Sequence, residues 1–426
     1  MLLTLLFVLL LVMLLLGVPV AIALAGASAV FIFIDGRIPD VVVVHRMING
    51  VDSFPLLAVP FFILAGNLMN SAGITERIFD FAKALVGWMR GGLGHVNIGA
   101  SVIFAGMSGA AVADAGGLGA IEIKAMRDAN YDPGFAVGIT AASSTIGPII
   151  PPSLPMVIYG VVAGASIGQL FAAGFVPGLI MAVSLMIMVA IYARRHGYAR
   201  DQAFSIPVLG ITFVRAFLSL MTPVIIVGGI LSGAFTPTEA AIAACVWALF
   251  LGLVVYRTLS LRRFLRVSFD TIETTAVVLF IVASASIFAW ILASNRVPEH
   301  FAALLLTVSE NPIIVLLLIN LILLVVGCFL ETVAAITILV PVLLPIAVKV
   351  GVDPVHFGVI VVLNLMIGLL TPPVGLVLYV LARVSKVPFE RCVVATAPFL
   401  VPLAIVLVLV TFVPSITLWL PTLLYR

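Results

Sequence analysis

The sequence contains very little charge. Only 9% of its 426 residues are Asp, Glu, Lys or Arg, whereas soluble domains carry about 25%. The hydrophobic share is 63%, and the mean hydropathy is +1.34. So few charges cannot cover a water-facing surface, and most of the chain must therefore contact lipid. The composition excludes a soluble globular protein, and the net charge of +3 gives no sign of a nucleic-acid partner.

The sequence also lacks the motifs of metal centres and enzymes. Its cysteines, Cys245, Cys328 and Cys392, stand far apart in apolar stretches and form no CxxC pair. We expect them to be small buried hydrophobic residues. There is no HExxH, GxSxG or Walker loop, and no paired Asp-rich motif. We therefore predict that the chain is not an enzyme.

Long charge-free tracts run through the whole chain. Residues 1–34 contain no charge and no basic n-region, which predicts a retained membrane span rather than a cleaved signal. By the length rule of roughly 20 residues per span, the tracts allow about 10–12 crossings. Strand-like alternation is absent, so we predict an all-α integral membrane protein. Two basic loops fall on one side, which we take as cytoplasmic; they contain Arg194, Arg195 and Arg200, and Arg257, Arg262, Arg263 and Arg266.

The two halves of the chain resemble each other at an offset of 221 residues, which is the distance from Asp132 to Asp353. Chance matching among apolar residues is the alternative, but glycine and proline are minority residues and fall in register. Repeated halves are typical of secondary transporters. We predict a first repeat over residues 1–210 and a second over 211–426. The matched pairs include Asp132-Pro133 with Asp353-Pro354, Ile146-Gly147 with Ile367-Gly368, and Pro151-Pro152 with Pro372-Pro373.

Each diproline interrupts an apolar, helix-like tract. A proline pair cannot lie inside a continuous helix, so each pair ends one helix and begins another. The simplest geometry is a re-entrant helical hairpin, over about 134–165 in the first repeat and 354–383 in the second. The free carbonyls at such a tip suit Na⁺, and the free N–H groups suit a carboxylate. The alternative is a proline-kinked span that binds no ligand.

Two further stretches match at the same offset. Residues 106–117 are rich in glycine and alanine, which permits unwinding or close backbone approach, and residues 327–332 are their counterpart. These stretches contain Asp114 and Glu331, and acids inside a membrane are functional candidates, unless they cap helices or lie at the interface. We expect Glu122 and Lys124 to mark the interfacial end of a span.

Several of these stretches, taken in chain order, resemble the large membrane subunit of tripartite ATP-independent periplasmic (TRAP) transporters. The resemblance implies two inverted repeats, each with a re-entrant hairpin, and an elevator-type transport domain within a scaffold. It also implies a bacterial inner-membrane location, Na⁺ coupling, a small four-helix membrane subunit as a separate polypeptide, and a periplasmic binding protein that delivers the substrate. The matching stretches are VPFFILAGNLMNSAG, MSGAAVADAGGLGAIEI, SSTIGPIIPPS, AFTPTEAA, AAITILVPVLLPIA and GLLTPPVGLVLY.

The resemblance also implies site residues, because the family binds Na⁺ at hairpin tips and the unwound helices that face them. The second interruption departs from the first, since Asn364-Leu365-Met366 replaces Ser143-Ser144-Thr145. That change leaves the side-chain ligands of the second site open. Carried over, the first Na⁺ site is Ser108, Gly109, Ser143, Ser144 and Gly147; the second is Gly327, Glu331, Gly368 and Thr371; and the substrate lies near Asp114, Pro152, Ser153 and Pro373.

The substrate class is a small organic acid. The stretches ADAGGLGAIEIKAM and SSTIGPIIPPS are more similar to the sugar-acid and sialic-acid members of the family than to the C4-dicarboxylate members. The main alternative is a stand-alone Na⁺/dicarboxylate symporter that needs no binding protein. A scaffold subunit without transport activity is a second alternative, but it would gain nothing from buried helix breaks.

Overall fold

The computed structural model describes residues 2–198, 200–201, 203–309 and 311–425, and only the backbone of 106–108, 305, 306 and 308. The described residues form α-helices joined by short turns, with a single isolated bridge between Arg90 and Arg200. The all-α prediction is therefore confirmed. The helices of the first half are α1 (Leu2–Leu15), α2 (Val20–Asp35), α3 (Val41–Val51), α4 (Ala58–Ser71), α5 (Ile74–Val86), α6 (Gly92–Ser108), α7 (Ala111–Gly116), α8 (Leu118–Asp128), α9 (Pro133–Ser144), α10 (Leu154–Ala163) and α11 (Ile167–His196).

The second half of the chain is helical in the same way. Among the described residues, seven helical segments are long and apolar enough to cross a membrane, and many of their large apolar side chains face outward, as a lipid-facing surface requires. The helices are α12 (Ile206–Pro223), α13 (Gly229–Leu231), α14 (Pro237–Phe250), α15 (Leu261–Ser294), α16 (Val297–Val308), α17 (Pro312–Gly327), α18 (Thr332–Lys349), α19 (Pro354–Gly368), α20 (Leu376–Ser385), α21 (Phe389–Phe412) and α22 (Ser415–Leu424).

The helices α9 and α19 begin in the same way. Asp132 and Asp353 are their N-caps, accepting hydrogen bonds from the backbone N–H groups of Phe135 (2.8 Å) and Val355 (2.7 Å). A proline follows each aspartate at the first helical position, where a missing N–H costs nothing. The repeated Asp-Pro pair is therefore a repeated helix start.

The tract from α9 to α10 runs straight along α11 instead of turning back. At one end of α11, the ring of Tyr192 lies 4.8 Å from that of Phe135 at the start of α9. In the middle, a Cβ at Gly174 would contact Ile149, which lies in the break between α9 and α10. At the other end, a Cβ at Gly160 of α10 would contact the first turn of α11. The predicted re-entrant hairpin at 134–165 is therefore wrong, because α9 and α10 are the two halves of one broken crossing.

The second diproline tract has the same geometry. At the start of α19, His356 Nδ1 lies 2.6 Å from Thr417 Oγ1, just beyond the end of α21. At α20, the ring of Tyr379 stacks on that of Phe389, the first residue of α21, with centroids 4.3 Å apart. The tract therefore starts beside the end of α21 and finishes beside its beginning. Residues 354–383 are also a broken crossing rather than a hairpin.

The segment that does turn back in the first half is α6 to α8. Asp201 Oδ2 accepts a hydrogen bond from Leu93 N (2.7 Å) at the start of α6. The same oxygen accepts one from the hydroxyl of Tyr131 (2.6 Å), which follows the end of α8. Both ends of the segment therefore meet at one residue, and the tip is the turn at Gly109–Ala110. Residues 92–128 form the first re-entrant hairpin.

Its counterpart in the second half is α17 to α18, with the tip at residues 328–331. Asn320 contacts Asn364, and further along Gly327 contacts Gly368, so α17 runs parallel to α19. The end of α18 at Lys349 lies only five residues before the start of α19, on the side from which α17 also enters. The segment therefore enters and leaves on one side, as a re-entrant hairpin does.

The two repeats have opposite orientations. The end of α8 meets the end of α20, where Arg127 donates a hydrogen bond to the carbonyl of Ser385. On the opposite side, α10 meets the start of α19, where the hydroxyl of Tyr159 donates to the carbonyl of Pro354 (2.6 Å). One hairpin therefore opens on each side of the molecule. The repeat boundary near residue 210 stays a prediction.

Candidate functional site

The tip of the first hairpin contacts the break in the α9–α10 crossing. Gly109 has a left-handed backbone (φ 63°), and its carbonyl accepts a hydrogen bond from Leu154 N (3.3 Å). A Cβ on Gly109 would lie only 2.6 Å from the carbonyl oxygen of Pro152. Glycine is therefore required here both by the backbone conformation and by the close approach. The predicted pairing of Gly109 with the first interruption agrees with these contacts.

The carboxylate of Asp114 lies against Gly147. Asp114 is in the first turn of α7 and is 2% exposed. A Cβ built on Gly147 would collide with Asp114 Oδ2. The structure therefore places a buried acid beside the glycine at which the first crossing is unwound. Of the predicted first-site residues, Ser108 has a side chain that lies outside the described part of the chain.

The two serines before the break are buried, and their hydroxyl protons are already in use. Ser143 Oγ donates to Asn97 Oδ1 (2.5 Å), and Ser144 Oγ donates to the carbonyl of Ala141 (2.8 Å). A hydroxyl that donates its proton keeps two lone pairs on oxygen. Both serines can therefore still present oxygen to a cation.

Ser153 has a capping function. It is the N-cap of α10 and accepts a hydrogen bond from Met156 N (3.2 Å), while its hydroxyl donates to the carbonyl of Pro148. Ser153 and Pro152 are both buried under the tip. Neither residue offers a substrate a free donor in this conformation.

The second hairpin tip contacts the second break in the same manner. A Cβ on Gly368 would lie 2.6 Å from the carbonyl carbon of Gly327. The carbonyl of Cys328 accepts a hydrogen bond from Val374 N (3.3 Å). This contact matches the bond between Gly109 and Leu154 in the first repeat. The predicted residues Gly327 and Gly368 are therefore brought together.

The side chains of Glu331 and Thr371 flank this contact. Glu331 is the N-cap of α18, and its Oε2 accepts from Val333 N (2.9 Å) and Ala334 N (3.3 Å). Thr371 Oγ1 donates to the carbonyl of Ile367 (2.8 Å). The structure thus gives Glu331 the capping function that was the alternative to a ligand, although a carboxylate has a second oxygen.

The two breaks differ in burial. In the first, the backbone from Thr145 to Ser153 is buried, whereas Pro372 and Pro373 in the second are exposed. Pro373, a predicted substrate residue, therefore lies on the surface of this chain, apart from Asp114. The first break is closed and the second is open.

The sequence interpretation missed two asparagines that bond to residues just before the breaks, Asn97 and Asn320. Asn97 is hydrogen-bonded to Ser143 and to Thr140, and Asn320 is hydrogen-bonded to Asn364. The signal was available, because an amide in an apolar tract is costly and is a functional candidate by default. Glu122 is 2% exposed and packed among the helices, whereas Lys124 is exposed. Their place at the interfacial end of a span stays a prediction.

A cavity of about 160 Å³ adjoins the first tip. It is bounded by α4 and α15 on one side and by the tip and α10 on the other. Its polar groups are Asn67, Asn70 and Thr274, and it is also lined by Ala110 of the tip and Leu154 of α10. The cavity offers amide and hydroxyl groups that can hydrogen-bond a polar solute.

Taken together, the two contacts provide what a small hard cation requires. Each combines the end of a half-helix, a close contact between a glycine and the facing tip, and an acid that follows the tip, Asp114 in the first and Glu331 in the second. Carbonyls at the helix ends, such as those of Ser143 and Gly368, accept one hydrogen bond from the next turn and keep a second lone pair. Oxygen ligands of this kind bind Na⁺, and helix N-termini such as those of α10 and α20 favour an anion. The geometry suits coupled binding of a cation and an acid.

Known proteins resemble the chain along nearly its whole length. The family described as "Tripartite ATP-independent periplasmic transporter, DctM component" matches residues 7–416. The chain is 54% identical over 385 residues to the sialic acid TRAP transporter large permease protein SiaM of Vibrio cholerae, with 89% of each protein covered. It is 40% identical over 370 residues to the C4-dicarboxylate TRAP transporter large permease protein DctM of Pseudomonas aeruginosa, with 87% of each covered.

A solved structure shares the fold. The crystal structure of the Alcanivorax borkumensis YdaH transporter superposes on 88% of this chain and 88% of its own, with a TM-score of 0.62. The sequence identity is 14%, so this similarity concerns the fold alone.

Proposed function

Since the chain belongs to the tripartite ATP-independent periplasmic transporter family, as its large permease (DctM) component, we propose that it imports a small organic acid together with Na⁺. The observation that supports this proposal most strongly is the matched pair of tip-to-break contacts. Each contact lies among packed helices and joins unwound backbone to a nearby acid. Unwound backbone inside a membrane is tolerated where it lines a binding site.

We assign one Na⁺ site to each contact. The carbonyls and hydroxyls that surround Gly147 and Gly109 would hold the first ion, and the buried Asp114 carboxylate would offset its charge. The carbonyls around Gly327 and Gly368 would hold the second, with the second carboxylate oxygen of Glu331. The complete sets are Ser108, Gly109, Ser143, Ser144 and Gly147, and Gly327, Glu331, Gly368 and Thr371.

For the substrate we propose a sugar acid, with sialic acid first and a C4-dicarboxylate second. The relative named for sialic acid is 54% identical to this chain, and the relative named for C4-dicarboxylates is 40% identical. The cavity beside the first tip has amide and hydroxyl groups that suit a polyhydroxylated acid. We place the carboxylate beside the first tip, near Asp114, Pro152 and Ser153. Pro373 lies apart from Asp114 on the surface of this chain, and its part in the substrate site stays a prediction.

We further propose that the chain works as part of a three-component system. Its partners would be a small four-helix membrane subunit and a periplasmic binding protein. The hairpins and broken crossings, α6–α10 and α17–α20, would move as one body against the remaining helices. This elevator motion would carry both ions and the acid across the membrane.

The test is uptake by proteoliposomes that contain the large and small subunits. With the binding protein added and an inward Na⁺ gradient, we expect uptake of radiolabelled sialic acid. Removal of the binding protein should abolish it, and unlabelled succinate should compete only weakly. Uptake that needs no binding protein would instead support the stand-alone Na⁺/dicarboxylate symporter. Strong competition by succinate would favour the C4-dicarboxylate assignment.

A further inference from the structure

A buried amide ties the first hairpin to its broken crossing. Asn97, on α6, accepts a hydrogen bond at Oδ1 from Ser143 Oγ (2.5 Å) and donates from Nδ2 to Thr140 Oγ1 (2.7 Å). All three side chains are at most 1% exposed. Polar groups inside a membrane protein are costly unless they are bonded. This bridge therefore holds the two helices at a fixed separation. Because the side chains are buried, water cannot replace the hydrogen bonds of the bridge.

The second repeat has its own bridge at the matching place. Asn364 lies 221 residues after Ser143, and its Nδ2 donates to Asn320 Oδ1 (2.6 Å) and to the Asn320 carbonyl (3.1 Å). Asn320 lies on α17, the counterpart of α6, and donates in turn to Thr411 Oγ1 (3.3 Å). A hydroxyl–amide bond in one repeat is thus replaced by an amide–amide bond in the other.

Both bridges lie one helical turn before a contact glycine. Ser143 precedes Gly147 by four residues, and Asn364 precedes Gly368 by four. The bridge therefore holds the last intact turn of each half-helix. Carbonyls at that end, such as those of Ser143 and Gly368, accept a hydrogen bond from the next turn (3.0 and 2.9 Å), and each keeps a second lone pair for a cation. In the second repeat, Asn364 Oδ1 is also buried and has no hydrogen-bond partner among the described residues.

We propose that Asn97 and the Asn320–Asn364 pair are positioning residues that set the Na⁺ affinity of the two cation sites. The inference rests on the proposed function and concerns how those sites are held. The amides act through the backbone, because they lock the turn whose carbonyls bind the ion. They also couple each hairpin to its crossing, so that the tip and the break keep one geometry when Na⁺ is bound.

The experiment measures uptake against Na⁺ concentration for N97A and N364A in the complete transporter. Loss of a bridge worth one hydrogen bond should raise the half-saturating Na⁺ concentration about tenfold in each variant. At saturating Na⁺, the KM for the organic acid should stay within about twofold of wild type. A variant that mimics the first repeat, N364S, restores a hydroxyl donor toward Asn320 and should recover part of the Na⁺ affinity. The control is T396V, since Thr396 is buried but bonds only within α21, to the Cys392 carbonyl (2.8 Å).

The outcomes separate this inference from the proposed function. If uptake by the wild-type transporter does not depend on Na⁺ concentration, the proposed function itself is contradicted. Na⁺-dependent wild-type uptake with an unchanged half-saturating concentration in both variants would overturn the positioning function of the amides. So would a uniform loss of uptake at every Na⁺ concentration, because that result indicates damaged folding alone. If N364A fails to fold, the Na⁺ dependence of N364S and N97A decides in the same way.

Discussion

Asp114 and Glu331 follow the two hairpin tips, yet their carboxylates have different surroundings. Asp114 is almost fully buried against Gly147. Glu331 is half-buried, and one of its oxygens caps α18. The sequence indicated both acids as functional or capping residues without distinguishing them. Whether an acid caps a helix or faces the break depends on which backbone N–H groups its carboxylate can reach. Only the folded tip determines which N–H groups those are.

Replacement of Asp114 by Asn should weaken the coupling of uptake to Na⁺ while the fold is kept. The amide has the same shape, but it cannot offset the charge of a cation in a site that excludes water. Loss of a charged ligand costs about 1.5–3 kcal/mol, or roughly 10–100-fold in Na⁺ affinity. The measurement is the Na⁺ dependence of uptake, with D128N at the exposed end of α8 as the control. An unchanged Na⁺ dependence in D114N would remove Asp114 from the site.

Glu331 can be tested by separating its two functions. Serine is also a strong N-cap, so E331S should keep the melting temperature of the protein close to wild type. It removes the free carboxylate oxygen, so the Na⁺ affinity should fall about tenfold. E331A should lose stability as well, by about 1 kcal/mol. If E331S binds Na⁺ as wild type does, then Glu331 is a cap and nothing more.

Lone polar residues in apolar tracts were the hardest to interpret. Asn97 and Asn320 stand singly in long hydrophobic runs and match no motif. Their partners lie more than forty residues away, so only helix packing shows what they bond. Ser153, in contrast, was singled out by its motif, but its place before a helix makes it a cap.

At the scale of elements, the sequence predicted where the helices break but not which segments turn back. A diproline stops a helix for local reasons. Whether the chain then reverses depends on the neighbouring helix, here α11 for α9–α10 and α21 for α19–α20. The glycine-rich stretch at residues 106–117 carries no proline, so its reversal at Gly109 gave a weaker local signal. In each repeat the sequence interpretation therefore placed the hairpin at the broken crossing, whereas the hairpin is the segment just before it.

This assignment predicts a labelling pattern. Cysteines introduced at Asp128 and Ser166 are exposed in the structure and flank the α9–α10 tract. Because that tract crosses the molecule, D128C and S166C should react with a membrane-impermeant maleimide from opposite sides of the membrane. The native cysteines are buried, so background labelling should be low.

A second pair of positions serves as the control for the same experiment. Met89 and Asp128 flank the first hairpin, so M89C should label from the same side as D128C. Labelling of D128C and S166C from one side would restore the re-entrant interpretation of residues 134–165 and contradict the fold described above.

At the scale of the whole molecule, the two repeats build matching tip-to-break contacts from two opposed halves. Each hairpin opens on its own side, and each tip meets a broken crossing in the middle. The first break is buried and the second is exposed, so the halves are matched in construction but differ in access. For the proposed transporter, such a difference in access suits a cycle in which the solute meets one side at a time.

The offset of 221 residues already indicated this symmetry, because glycine, proline and aspartate recur in register. The inversion of one repeat relative to the other was implied by the family resemblance alone. It became visible only through long-range contacts such as that of Arg127 with Ser385. Sequence repetition reports which parts correspond, whereas orientation is a property of packing.

The most direct test of the account is the Na⁺ dependence of uptake in G147A and G368A. A methyl group at either position would strike the facing tip, at the Asp114 carboxylate in one case and the Gly327 backbone in the other. We expect each variant to assemble but to lose Na⁺-dependent uptake by about 5- to 150-fold, since overpacking costs about 1–3 kcal/mol. The control G210A, where a methyl group meets nothing within 4 Å, should behave as wild type. Normal Na⁺-dependent uptake in both G147A and G368A would contradict the claim that the tip-to-break contacts are the cation sites.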